Sequence, residues 1–295
     1  MTRAQANLVL LLAAAIWGGG FVAQATAMDR IGPFWFVGIR FAIAALAVLP
    51  FAMFEARKSK AQLTGRQFIG LVTVGMALFA GAITQQIGLL TTTVTNSSFL
   101  TGLYVVFVPI ITVVALRKYP HWIIWPGGAL ALGGIFLLSG GHIARLSTGD
   151  LWSILCAVFW GIQIVLAGYW VGRIGRPLAL SATQFAVCAI LSMAFGLFLE
   201  PVSFEAVRSA AAELLYVGLI SSGLAFVLQV IGQRYTTAPQ AAIFLSSEAL
   251  FGALLGALLL GEKLPPTGYA GCALIFAAML VVELVPEWLA RRRTA

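Results

Sequence analysis

The sequence predicts an all-α integral membrane protein of ten transmembrane helices, arranged as two inverted five-helix repeats. Three observations carry that prediction. Of 295 residues, 61% are hydrophobic and only 9% are charged, and mean hydropathy is +0.99, whereas soluble domains carry about 25% charged residues. Apolar windows of roughly 20 residues, the length that spans a bilayer core, recur along the whole chain with short breaks. The last five windows also carry a faint copy of the first five. Trp17-Gly18 returns as Trp160-Gly161, Gly75 as Gly218 and Gln86 as Gln229, each 143 residues on, and Thr92-Thr93 returns as Thr236-Thr237 after 144. Because five is odd, the second set enters the bilayer from the opposite face. Inverted repeats of this kind let one site open to either side of a membrane.

In chain order the predicted spans are 6–27, 33–54, 66–89, 94–116, 121–139, 150–171, 177–199, 210–232, 237–260 and 266–285. The first follows Arg3 and contains an A-x-A at Ala23 to Ala25 that could be read as a signal-peptide cleavage site. It is retained as a helix, since its removal would strip the sixth span of its partner. The second span carries Arg40, the fourth begins just after Thr92-Thr93, the sixth holds Trp160, and the ninth holds Glu248. These spans leave no room for a soluble domain. The repeats are 1–145 and 146–295.

Lys and Arg beside short loops favour the cytoplasmic side. With the N-terminus inside, 13 basic residues are cytoplasmic and four (Arg30, Arg145, Arg208 and Lys263) lie outside, with Arg40 inside a span. The expectation is a multi-pass protein of the bacterial cytoplasmic (inner) membrane with both termini cytoplasmic. The net charge of +8 is then mostly this bias and not a nucleic-acid surface.

Chemistry that would make the chain an enzyme is missing from the pattern. Cys156, Cys188 and Cys272 fall inside spans without C-x-x-C spacing, which reads as packing. His121 and His142 stand far apart, and the ten acidic residues are scattered mostly over loops, so neither clustered aspartates for magnesium nor a nucleophile with a base is present. Gly18-Gly19-Gly20 has no following Lys and lies mid-span, unlike a phosphate loop. No metal or cofactor is expected. The expected partners are a small-molecule substrate and the bilayer, with no nucleic acid and no obligate protein partner, as a monomer or homodimer.

Ionisable groups inside a membrane are costly and usually face a cavity or a partner. Glu248 lies 11 residues into its span, roughly 16 Å at about 1.5 Å per residue, near the midplane of a core about 30 Å thick. It reads either as a proton-coupling carboxylate or ammonium anchor, or as a carboxylate bonded to neighbouring helices for packing. Arg40 reads as an interfacial or structural arginine, or as a substrate contact. Glu283, near the end of the tenth span, marks that end.

Trp17 and Trp160 sit near span centres instead of at the interfaces where tryptophan collects. They are expected to wall a cavity that also gives each indole N–H a partner, and Phe79, Tyr104, Phe107 and Phe244 are candidates beside them, with helix packing the alternative for each. Polar candidates are Gln86, Asn96, Ser97, Ser98, Thr101, Gln163, Gln229, Ser246 and Ser247, although serines and threonines also bond across helices for packing. Gly252-x-x-x-Gly256 suits a close helix approach or a dimer.

These residues resemble the EamA-type members of the drug/metabolite transporter superfamily, across nearly the whole chain. AAIWGGGFVA (Ala14 to Ala23) resembles the family's first helix, and FWFVGIRFAIAAL (Phe34 to Leu46) its second, with the embedded Arg40. SSEALFGALLGALLLGEK (Ser246 to Lys263) followed by GYAGCALIFAAMLVV (Gly268 to Val282) is similar to its most recognisable stretch. Two positions depart from the pattern: the fourth span ends in ALRKYP (Ala115 to Pro120) where a Gly-Glu is common, and Thr183 stands where Arg40 would repeat. The resemblance implies a permease that exports small metabolites. The inverted repeat leads to the expectation of alternating access, with helices one, three, four, six, eight and nine around a midplane site. Amino acids, as in aromatic amino acid exporters of the YddG type, are the first expectation. Organic cations or other drugs are the alternative, as are nucleotide-linked metabolites.

Overall fold

The computed structural model describes residues 1–59, 62–138, 140–141, 146–260 and 266–294. Lys60, His142, Arg145, Glu262 and Lys263 lie outside the described residues. Every regular element among those described is helical: α1 (Arg3–Ala27), α2 (Pro33–Lys58), α3 (Gly65–Leu89), α4 (Val94–Thr101), α5 (Tyr104–Leu116), α6 (Ile124–Leu138), α7 (Thr148–Ile174), α8 (Pro177–Leu199), α9 (Phe204–Ser209), α10 (Ala211–Tyr216), a π-helical segment (Val217–Leu224), α11 (Ala225–Gln233), α12 (Ala238–Leu245), α13 (Glu248–Leu260) and α14 (Pro266–Thr294). Among the described residues, eight stretches are long and apolar enough to cross a membrane: α1, α2, α3, Asn96–Leu116, α7, α8, Ala211–Gln233 and Pro266–Pro286. The helix α6 is apolar but shorter, and α12 and α13 divide the predicted ninth span between them.

Several helices start before the apolar windows because polar caps start them. Thr2, Thr64 and Ser147 each form a capping box with the residue three positions on, which satisfies backbone N–H groups that a helix leaves open. Thr93 and Thr237 cap α4 and α12 in the same way, accepting from the N–H groups of Asn96 and Gln240. Pro33 and Pro177 begin α2 and α8, where the missing N–H costs nothing.

Two helices break at matching places. Every boundary of α4 and α5 recurs 144 residues later in α12 and α13. The chain between stays right-handed, at φ −57°, ψ −15° for Gly102 and φ −62°, ψ −13° for Ser246, but tightens to three-residue hydrogen bonds such as Ala249 N–H to Ser246 O. At the second break the hydroxyls of Ser246 and Ser247 donate to the carbonyls of Ile243 (2.8 Å) and Phe244 (2.6 Å), competing with the backbone for those acceptors.

The longest packed pair is α2 against α8, and it is tied at both ends. Glu200, just beyond α8, accepts from the N–H groups of Phe34 (3.0 Å) and Trp35 (3.3 Å) at the start of α2. Glu55, near the end of α2, accepts from Leu178 (3.2 Å) and Ala179 (2.8 Å) at the start of α8. Each carboxylate thus meets open N–H groups at the positive end of the other helix. Around this pair α3 packs on α7 and α8, α1 on α11, α13 and the π-helical segment, and α6 on α14. Phe41, Phe185, Phe226 and Leu245 join the central core. Large apolar side chains point outward, Phe198 (87% exposed) and Leu46 (69%) among them, as a surface facing lipid requires.

Candidate functional site

The cavity at the centre is built where backbone regularity fails. The break between α4 and α5 presents Thr101 and Tyr104, and the break before α13 presents Glu248. The π-helical segment, whose wider turns expose backbone groups, presents Ser221 and Ser222. From regular helices come Trp17, Phe21 and Gln24 of α1, Arg40 of α2, Gln85 of α3, Trp160, Gln163 and Ile164 of α7, and Phe226 and Gln229 of α11. The cavity has a volume of about 40 Å³.

Close helix approach makes this arrangement possible at two glycines. A Cβ on Gly18 would stand 2.6 Å from the Gly252 nitrogen and 2.7 Å from the Glu248 carbonyl, so α1 and α13 touch backbone to backbone beside the cavity. A Cβ on Gly81 would come within 3.2 Å of the Trp160 ring.

An aromatic wall forms around Phe226. Trp160 stacks on it at 5.5 Å between centroids, and Trp17 leans on it at 4.7 Å. The Trp17 indole N–H donates to the Ser221 carbonyl at 2.8 Å, an acceptor in the π-helical segment. The Trp160 N–H faces the Cys156 sulfur and has no oxygen or nitrogen acceptor among the described residues. Next to the rings runs a chain of amides. Gln229 Nε2 donates to Gln163 Oε1 (3.0 Å) and Gln233 Oε1 (3.1 Å), and Gln163 Nε2 donates to Gln184 Oε1 (3.0 Å). These bonds join α7, α8 and α11, and among the described residues they leave Gln229 Oε1 without a donor.

Two charges line the same space. Arg40 is 3% exposed; its Nη1 donates to Gln24 Oε1 at 2.6 Å, and its guanidinium lies 5.2 Å and 5.0 Å from the ring centres of Phe36 and Phe41. Glu248 is 6% exposed and accepts from the Tyr104 hydroxyl at 3.2 Å.

Of the residues singled out from sequence, Trp17, Arg40, Thr101, Tyr104, Trp160, Gln163, Gln229 and Glu248 come together here. Nine others stand elsewhere. Phe107 packs against the central core, Ser97 and Ser98 lie in α4 with Ser97 accepting from the Ser153 hydroxyl at 3.2 Å, and Ser247 donates back to the Phe244 carbonyl. Phe79 stacks on Phe195, Gln86 is buried and donates to the Met28 sulfur, and Asn96 lies at the α4 cap near Asp150. Phe244 packs in the core, and Ser246 bonds back to its own helix. Gln24, Gln85, Ser221 and Ser222 were missed, although polar residues in apolar windows are the signal that selected Gln163. Phe21, Ile164 and Phe226 carry no local signal.

Comparison with known proteins places this geometry in a family. The EamA-like transporter family matches residues 4–140 and again residues 147–284. An "uncharacterized transporter" of Archaeoglobus fulgidus is 34% identical over 282 residues, covering 96% of this chain and 87% of that one. The "uncharacterized inner membrane transporter YicL" of Salmonella typhimurium is 27% identical over 299 residues, covering 94% of each. A solved structure described as "Crystal structure of protein" superposes with a TM-score of 0.80 over the full length of both chains at 18% identity, which speaks to the fold alone. The chain belongs to the EamA-like transporter family of the drug/metabolite transporter superfamily and is a multi-pass membrane transport protein.

Proposed function

We propose that this chain is a secondary transporter that exports amino acids, aromatic ones included, across a bacterial cytoplasmic membrane from the central cavity. Its halves, 1–145 and 146–295, act as two five-helix repeats of opposite orientation with both termini cytoplasmic, and they rock so that the cavity opens to one side at a time. The observation that carries this reading is the meeting of Tyr104 and Glu248. They stand 144 residues apart at equivalent helix breaks and hydrogen-bond inside the cavity, as equivalent residues do near an axis relating two copies. Packing supports the same relation: α3 on α7 has its counterpart in α11 on α1, and α3 on α8 in the π-helical segment on α2. The double family match adds to it.

A cavity of about 40 Å³ is smaller than an amino acid, which supports a site that changes shape during transport. The rings of Trp17, Trp160 and Phe226 beside free amide and hydroxyl groups suit a substrate with an apolar side chain and a polar head. An organic-cation carrier is the second reading, and Glu248 is the observation in its favour. Counterflow in proteoliposomes tests both: saturable exchange of labelled Phe or Trp is expected. Transport that survives cross-linking of either mouth would sink the rocking mechanism.

A further inference from the structure

The two charges on the cavity wall have the wrong partners for a purely structural role. Three ion pairs occur among the described residues, Arg3 with Glu283, Arg30 with Glu213 and Arg208 with Glu205. Arg40 and Glu248 belong to none of them. Each is nine-tenths or more buried, each lines the same cavity, and each is held by a neutral neighbour instead. Gln24 holds Arg40 from α1, and Tyr104 holds Glu248 from α5, while the Arg40 Nε has no acceptor among the described residues. A buried charge without a counter-charge costs several kcal/mol. Two ionisable groups of opposite sign that line one cavity without pairing offer partners to a ligand that completes both.

We propose that the cavity binds a zwitterion of the α-amino-acid type in one fixed polarity, its carboxylate against Arg40 and Gln24 and its ammonium against Glu248 and Tyr104. This deepens the amino-acid reading above and rests on it. A guanidinium matches a carboxylate in a bidentate fork. A carboxylate beside a phenol hydroxyl accepts from an ammonium group. With both side chains ionised the wall sums to zero, so an electroneutral ligand brings no net charge into the membrane interior, whereas a lone organic cation would satisfy Glu248 and face Arg40 uncompensated. A lone carboxylate has the mirror fault. Trp17, Trp160 and Phe226 then receive the side chain, and aromatic side chains gain from stacking there.

The test is competition against labelled L-phenylalanine counterflow in proteoliposomes of the full-length protein. Unlabelled phenylalanine, its amide and phenylethylamine (cation only), and N-acetylphenylalanine and phenylpropionate (anion only) are the competitors. Phenylalanine is expected to compete at least roughly tenfold better than any single-charge analogue, the size of losing one charge-assisted contact. Arg40→Gln is expected to narrow the gap to the amide and amine, and Glu248→Gln the gap to the N-acetyl compound and propionate. A structural role predicts no such crossover. Melting temperature reports whether either variant folds, and the wild-type competition decides the matter if they do not. Equal competition by the amine and phenylalanine overturns the zwitterion site and leaves amino-acid transport standing. Absence of saturable phenylalanine exchange overturns both.

Discussion

The two ends of the bundle each carry a carboxylate cluster, and the clusters are made differently. At one end Asp150 Oδ1 accepts from the Thr92 hydroxyl at 2.5 Å, while Oδ2 accepts from the N–H of Ser147 at 2.8 Å in the capping box of α7. At the other end Glu283 Oε2 on α14 accepts from Asn7 Nδ2 (2.7 Å) on α1 and Gln240 Nε2 (2.6 Å) on α12, with Arg3 Nε at 3.5 Å. Asn7 and Asp150 are repeat-related, 143 residues apart, as are Asn96 beside Asp150 and Gln240 beside Glu283, at 144. The acid has therefore moved from the first turn of one helix to a different helix. Half of the Asp150 cluster is local and persists when helices separate. The Glu283 cluster exists only while α1, α12 and α14 are together.

This difference can be broken in four ways, from the largest effect to the smallest. Asp150→Ala removes the side-chain half of the capping box and the charged hydrogen bond from Thr92 while the Ser147 hydroxyl cap stays, a loss of about 2–3 kcal/mol. Its melting temperature in detergent is expected to fall by about 5 °C or more, and a shift below about 1 °C would show that the cap contributes nothing. Glu283→Ala is expected to cost about 1–2 kcal/mol, because water reaches its partly exposed site and replaces the lost acceptor. It should raise the labelling rate of a cysteine placed at Leu11, one turn deeper on α1. Unchanged labelling would mean that Glu283 does not hold that mouth closed.

Thr92→Val removes the bond between elements and spares the Ser147 cap. About 1.5 kcal/mol is expected, with a far-ultraviolet circular dichroism spectrum like wild type and faster labelling at the Asp150 end. Arg3→Ala touches a pair whose arginine is 39% exposed, and such pairs are worth about 0–1 kcal/mol. A melting shift of more than about 4 °C would place Arg3 among the residues that hold the mouth.

The polar candidates show how far a sequence can point to a cavity. Gln163 and Gln229 reach it, but Gln86 does not, and its neighbour Gln85 does. Successive residues on an α-helix point about 100° apart, so the choice between Gln85 and Gln86 rests on the rotation of α3 against α7 and α8. Nothing in the third span itself fixes that rotation. Ser246 and Ser247 were legible as polar at midplane, but their hydroxyls turn back to their own helix, and the break they help make is what sets Glu248 on the cavity wall. Phe226 looked like any of the 20 phenylalanines until the wall around it assembled.

Hydropathy and the 143- and 144-residue echoes determined the all-helical membrane class and where along the chain its apolar helices fall, because each is a property of the chain read along its length. Only the tertiary structure decided which faces meet, that α4–α5 and α12–α13 break where they do, and that Arg40 and Glu248 share one cavity without pairing. Such facts depend on helix rotation and on contacts between residues up to hundreds of positions apart. No local stretch of sequence carries that information.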